Sequence, residues 1–193
     1  MTLHFLRHGK TSANEKQLYY GQTDLPLSPG GADELRLLKK QNIYPRTDLV
    51  FTSGLIRAEQ TADIVCGNVH RSVVPELAEL SFGLFEMKSH DELKDRDDYQ
   101  AWVADETGEV ECPHGESRSD FRRRVMLGFN TVLDETYRAG VESSFIVCHS
   151  GVVAHIMERL FPGTRSFYEW LPKPGRGYTT VYASDKPQIY YEI

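Results

Sequence analysis

Two histidines and two arginines stand at the ends of short apolar runs in this chain. Arg7 and His8 close LHFLR (3–7) and are followed by Gly9. Ser53 closes DLVFTS (48–53), with Arg57 one turn further on. His149 closes SFIVCH (144–149) and leads into Ser150-Gly151. A guanidinium is a planar fork of donors that matches phosphate oxygens and stays charged at any working pH. A neutral imidazole presents a nucleophilic ring nitrogen near neutrality. Phosphoryl transfer needs little beyond an aligned attacker and positive groups around the equatorial oxygens. Taken singly, a histidine at a strand end is ordinarily a satisfied structural side chain, and an arginine in a first helical turn a surface charge. Four of them at three strand ends point to an anion.

These residues need elements that bring them together. The β-branched and aromatic runs at 3–7, 48–53, 72–77, 144–149, 179–184 and 188–193 read as strands, the third ending or lying at an edge because of Pro75. Helical patterns lie between them. SPGGADELRLLKKQ (28–41) opens on a Ser-Pro start, and LIRAEQTADIVCG (55–67) is apolar at 55, 58, 62 and 65. SRSDFRRRVMLGFNTVLDETYRAG (117–140) carries a stripe of Phe121, Val125, Phe129, Val132, Leu133 and Tyr137 that Gly140 closes, and VVAHIMERLF (152–161) is a further helix. Strands alternating with helices predict an α/β fold: a three-layer sandwich with a mainly parallel central sheet and helices on both faces. A short Asp-Lys-Pro connection joins the last two strands, which makes them an antiparallel hairpin. Residues 86–116 are rich in charge and poor in β-branched residues, and read as a small, partly helical cap insertion within a single domain spanning 1–193. In such sheets ligands bind beyond the carboxyl ends of parallel strands, where Arg7, His8, Ser53, Arg57 and His149 fall.

Composition bounds the rest. With 193 residues, 40 % hydrophobic and 26 % charged, the chain has the profile of a globular protein. Its net charge of −6 argues against nucleic acid or an anionic membrane as partner, so an anionic substrate requires a local cationic cluster. No basic region leads into an apolar stretch near the N-terminus, and no apolar run approaches a membrane span. Cys66, Cys112 and Cys148 are odd in number and form no CxxC pair; they are expected as reduced thiols in a cytoplasmic protein, Cys148 as a buried small hydrophobe. His149 with His155, and His4 with His8, lack a third ligand, so no metal and no cofactor is expected. Arg122, Arg123 and Arg124 read as a solvated helix face.

LRHGKTSAN (6–14) resembles the Leu-x-Arg-His-Gly-x-Thr-x-x-Asn signature of the histidine phosphatase superfamily, the phosphoglycerate-mutase-like proteins. YGQTDLPLSPGG (20–31), TSGLIRAEQTA (52–62), ELAELSFGLFEMK (76–88) and IVCHSGVV (146–153) are similar to its further motifs, in the family's order. The resemblance implies that His8 accepts the phosphoryl group and that Arg7, Arg57 and His149 grip it. It also implies that Asn14 helps to hold it and that Glu79 serves as proton donor and later as base. Tyr20, Gly21 and Ser150 fall at substrate-binding positions. Two residues depart from the pattern: Lys10 replaces a common acid, and Tyr20 replaces a small polar or amide residue.

Mutase members carry a basic insertion where this chain is short and acidic, which favours a phosphatase acting on a small phosphorylated substrate. FGLFEMK (82–88), HDEL (90–93) and YQAW (99–102) resemble the α-ribazole phosphatase branch, implying α-ribazole 5′-phosphate as substrate. A sugar-phosphate phosphatase, a phosphoglycerate mutase and a non-catalytic phospho-ligand binder are the alternatives. Tyr99 and Trp102 are placed either to stack on a flat base or to pin the cap to the sheet. A monomer or homodimer is expected.

Overall fold

The computed structural model describes residues 1–67, 69–184 and 186–193. In chain order its elements are β1 (Thr2–Arg7), α1 (Ser12–Glu15), α2 (Pro29–Lys40), β2 (Leu49–Thr52), α3 (Ile56–Val65), β3 (Arg71–Val73), α4 (His90–Leu93), α5 (Asp97–Ala104), α6 (Arg118–Ala139), β4 (Ser143–Cys148), α7 (Ser150–Leu160), β5 (Gly177–Ala183) and β6 (Lys186–Glu192). The six strands form one sheet in the order β3-β2-β4-β1-β5-β6. β3, β2, β4 and β1 are mutually parallel; β5 and β6 run antiparallel, as the expected terminal hairpin. Asp185, in the connection between that pair, lies outside the described residues.

The near-continuous apolar strands explain why the sheet is covered on both sides. Along β4, Ile146 and Cys148 face one core with Leu3, Phe5 and Phe51, beneath α6 and α7. Phe145 and Val147 face a second core with Leu6 and Val50, against Leu35 of α2 and Ala58, Ala62 and Val65 of α3. Phe5, Phe51 and Phe145 are fully buried, each contributing about 2–3 kcal/mol of apolar transfer. No helix of the described residues is long and apolar enough to cross a membrane.

Helix ends follow their local chemistry. Ser28 caps α2 through the Gly31 amide with Pro29 in the first turn, Ser117 caps α6, and Gly140 closes it in the left-handed conformation. One expectation is sharpened and one is corrected. The run 72–77 is a strand only to Val73, because Pro75 opens a 3₁₀ turn over Pro75–Leu77. The buried stripe of α6 ends on Thr136 and leaves Tyr137 half exposed, since a 3.6-residue period from Val132 reaches 136. Thr136 is satisfied there by the Val132 carbonyl and the Ser144 hydroxyl.

The 86–116 insertion consists of α4, α5 and turns. It grips the segment after α1: Tyr19 N–H donates to the Lys88 carbonyl, and Met87 N–H donates to the Tyr19 carbonyl.

Candidate active site

Strand register sets the site. Arg7 is level with Cys148, and Thr52 with Val147, so three parallel neighbours end together and release His8, Ser53 and His149 at one edge. The His8 and His149 ring centroids lie 5.2 Å apart at 62°. His8 Nδ1 sits 2.7 Å from the Gly9 carbonyl, an acceptor, so Nδ1 carries the proton and Nε2 keeps its lone pair. Burial, then the charges of Arg57 and Arg7, hold His8 well below the usual histidine range. Burial and the same arginines depress His149 likewise. Both rings are therefore neutral at working pH.

Arg57 is fully buried on α3, where Nη2 donates to the Gly21 carbonyl at 2.6 Å and Nη1 to the Thr23 carbonyl at 3.0 Å. Arg7 Nη1 donates to the Pro172 carbonyl at 2.9 Å. Carbonyls hold these guanidinium groups without neutralising them, and burial lowers the pKa of each. Arg7 Nε, Arg57 Nε and His149 Nδ1 are buried and have no hydrogen-bond partner among the described residues; with the Ser53 hydroxyl donating to His149 Nε2, Nδ1 carries the proton. Buried donors of this kind are normally satisfied, and an anion would satisfy all three.

Thr11 caps α1, and the Asn14 Oδ1 atom accepts from the Thr11 amide and from the Tyr20 hydroxyl at 2.8 Å. That fixes the amide with its oxygen turned to donors and its Nδ2 group left to give. Tyr20 lies beneath Arg57, whose guanidinium carbon is 4.8 Å from the ring centroid. Gly21 is required by close approach: a Cβ there would lie 1.6 Å from the Leu80 carbonyl oxygen.

Glu79 is tied to the start of α7. Its Oε2 accepts from the Gly151 amide at 3.0 Å and from the Ser150 hydroxyl at 3.4 Å, while Oε1 accepts from the Leu80 amide. Gly151 leaves the space, since a Cβ would stand 2.5 Å from Glu79 Oε1. The edge of the sheet thus brings together Arg7, His8, Asn14, Tyr20, Gly21, Arg57, Glu79, His149 and Ser150.

It does not gather Trp102 with them. That indole packs among Tyr19, Phe82, Phe85 and Tyr99, with the Arg118 guanidinium over it. Tyr99 bonds Tyr19 and His90 through its hydroxyl. Of the two placements weighed for these rings, the packing is that of a pin, but one that joins the insertion to Tyr19 and Phe82 rather than to a strand, with protein rings around the indole where a base would stack. Lys10 pairs with Glu34 on α2 at 2.8 Å. His4 bonds Thr179, and His155 is buried in α7, so neither sits as a ligand beside its supposed partner.

One role escapes sequence reasoning at a residue already placed at the edge, and one contributor escapes it altogether. Ser53 Oγ lies 2.8 Å from His149 Nε2 and orients that ring. Arg124 corrects the expectation of a solvated arginine face: only Arg122 and Arg123 are exposed. Arg124 donates to the carbonyls of Glu76, Ala78 and Glu79 and pairs with Glu116 at 2.5 Å, bracing the segment that carries Glu79. Its position three residues after Phe121 is the only sequence cue that it turns inward.

The model of the histidine phosphatase superfamily, branch 1, matches residues 3–188. The chain belongs to the histidine phosphatase superfamily. This histidine phosphatase is 35 % identical over 164 residues to an adenosylcobalamin/α-ribazole phosphatase of Salmonella typhimurium, covering 83 % of this chain and 79 % of that one. The corresponding Escherichia coli protein is 33 % identical over the same length. Its fold is similar to the crystal structure of the α-ribazole phosphatase from Shigella flexneri, with a TM-score of 0.85, 28 % identity, and coverage of 98 % of this chain and 94 % of the other.

Proposed function

We propose that this phosphatase hydrolyses α-ribazole 5′-phosphate in the cytoplasm through a phosphohistidine on His8. The observation that carries the chemistry is the free Nε2 lone pair of His8 beside three unpartnered, buried donors. Nε2 attacks phosphorus, the bond from phosphorus to the alcohol oxygen breaks, and Glu79 in its acid form protonates that oxygen. Glu79, now a carboxylate, takes a proton from water, whose oxygen attacks the phosphohistidine, and the P–N bond breaks to release phosphate. Arg7, Arg57, His149 and Asn14 hold the equatorial oxygens. The substrate assignment is supported by the named relatives, by the motifs at 82–102, and by an acid-rich insertion that disfavours a second phosphate.

The test is turnover of α-ribazole 5′-phosphate, 3-phosphoglycerate, sugar phosphates and p-nitrophenyl phosphate, with trapping of the adduct. The expected result is a kcat/KM for α-ribazole 5′-phosphate at least about 100-fold above the sugar phosphates, an acid-labile phosphoryl group on His8, and loss of all turnover in His8→Ala. Equal kcat/KM values would replace the substrate with a broad set of sugar phosphates. Turnover surviving in His8→Ala would overturn the mechanism.

A further inference from the structure

Arg57 rests on two carbonyls of the segment Gly21–Thr23, and something must hold that segment in turn. We propose that Glu86 is a positioning residue for phosphate binding, acting through this segment on Arg57. The proposal deepens the phosphate-site reading above and rests on it.

The Glu86 carboxylate collects five donors. Oε1 accepts from the amides of Gly21 at 2.8 Å, Gln22 at 3.0 Å and Phe82 at 3.1 Å. Oε2 accepts from the Thr23 amide at 3.1 Å and the Thr23 hydroxyl at 2.5 Å. Three consecutive amides aimed at one point form a concavity that an anion stabilises, and here the anion is a side chain of the chain itself. Carbonyls of the same segment then take Arg57, Gly21 O accepting from Nη2 and Thr23 O from Nη1. With both terminal nitrogens fixed, the guanidinium plane is fixed, and so is the direction of its unpartnered Nε. Glu86 stands at the start of the insertion, just after the turn Gly83–Phe85. The phosphate grip is thereby tied to a part of the chain that contributes no phosphate ligand of its own.

Glu86→Gln keeps the size of the side chain but turns an NH2 group toward the Thr23 amide, where an acceptor is needed. The measurements are the inhibition constant of inorganic phosphate and the KM and kcat for p-nitrophenyl phosphate, in Glu86→Gln, Arg57→Lys and the double variant. Expected is a roughly tenfold rise in both Ki and KM in Glu86→Gln, with kcat within about twofold of wild type. In the Arg57→Lys background the same change should add less than about twofold, because its effect passes through the missing guanidinium. Thr23→Val, which deletes one donor and leaves the backbone intact, should raise Ki about threefold and decides the matter if Glu86→Gln does not fold. An unchanged Ki alongside a lowered Tm, or a full tenfold loss in the Arg57→Lys background, would show a merely structural residue. An Arg57→Lys protein that binds phosphate as wild type does would bring down the site reading, and this proposal with it. Neither probe depends on which alcohol the natural substrate carries.

Discussion

Glu79 accepts from the Gly151 amide and the Ser150 hydroxyl at the opening of α7 and from the adjacent Leu80 amide. The proposed role of proton donor has a direct consequence for leaving groups of different acidity. Glu79→Gln should lower kcat for alcohols of high pKa by about 10²–10³, and much less for p-nitrophenyl phosphate, whose leaving group needs no proton. The Ki for phosphate should move less than about threefold. Comparable losses on both substrates, or a large loss of phosphate affinity, would reassign Glu79 to binding. The histidines and arginines gathered at the sheet edge were legible in the chain because each closes or follows an apolar run. Ser53 was legible as a polar strand end but not as the partner of His149, and Arg124 and Glu86 were hidden. Their partners are an imidazole and backbone groups far away in sequence, and only strand register and loop path bring these into reach.

At the scale of elements, the helices and strands follow two plain signals, apolar periodicity and caps, and most boundaries fall within two residues of expectation. The short turns were not visible: α1 rests on a reciprocal cap between Thr11 and Asn14 rather than on any apolar face. The insertion is likewise organised by polar pins, and one of its residues is strained. Met87 has φ 59°, in the left-handed region that favours glycine, while its amide bonds the Tyr19 carbonyl. Met87→Gly should relieve that strain and, after the entropy cost of an added glycine, raise stability by about 0.5–1 kcal/mol, a Tm increase of roughly 2 °C. Thermal melts of the two proteins check this, and a lower Tm would mean that the exposed thioether contributes more packing than the backbone strain costs.

Across the whole molecule, buried histidines outside the site add to the acid sensitivity that His8 and His149 already confer. Burial drops His4 and His155 from their ordinary 6.5 to about 4, so the folded chain keeps both neutral where the unfolded chain protonates them. Their stability contribution is complete above pH 6.5 and is lost as pH falls through 4, at a cost on the order of 3 kcal/mol each. Denaturant melts from pH 7 to 4.5 should show proton uptake on unfolding, reduced by up to one proton in His155→Leu. A pH-independent midpoint would show that neither ring is shielded from protonation. Phosphate binding opposes this trend, because the anion binds the folded state alone.

The three parallel strands that release His8, Ser53 and His149 are interior members of the sheet, sealed by helices on both faces, whereas Gly21–Thr23 is held through side chains from two directions. The two halves of one active site therefore belong to regions of unequal local stability. Amides along β1 and β4 should exchange with deuterium only on global unfolding, and those of residues 21–23 through a cheaper partial opening. In mild denaturant the enzyme should fall silent while its sheet is still intact.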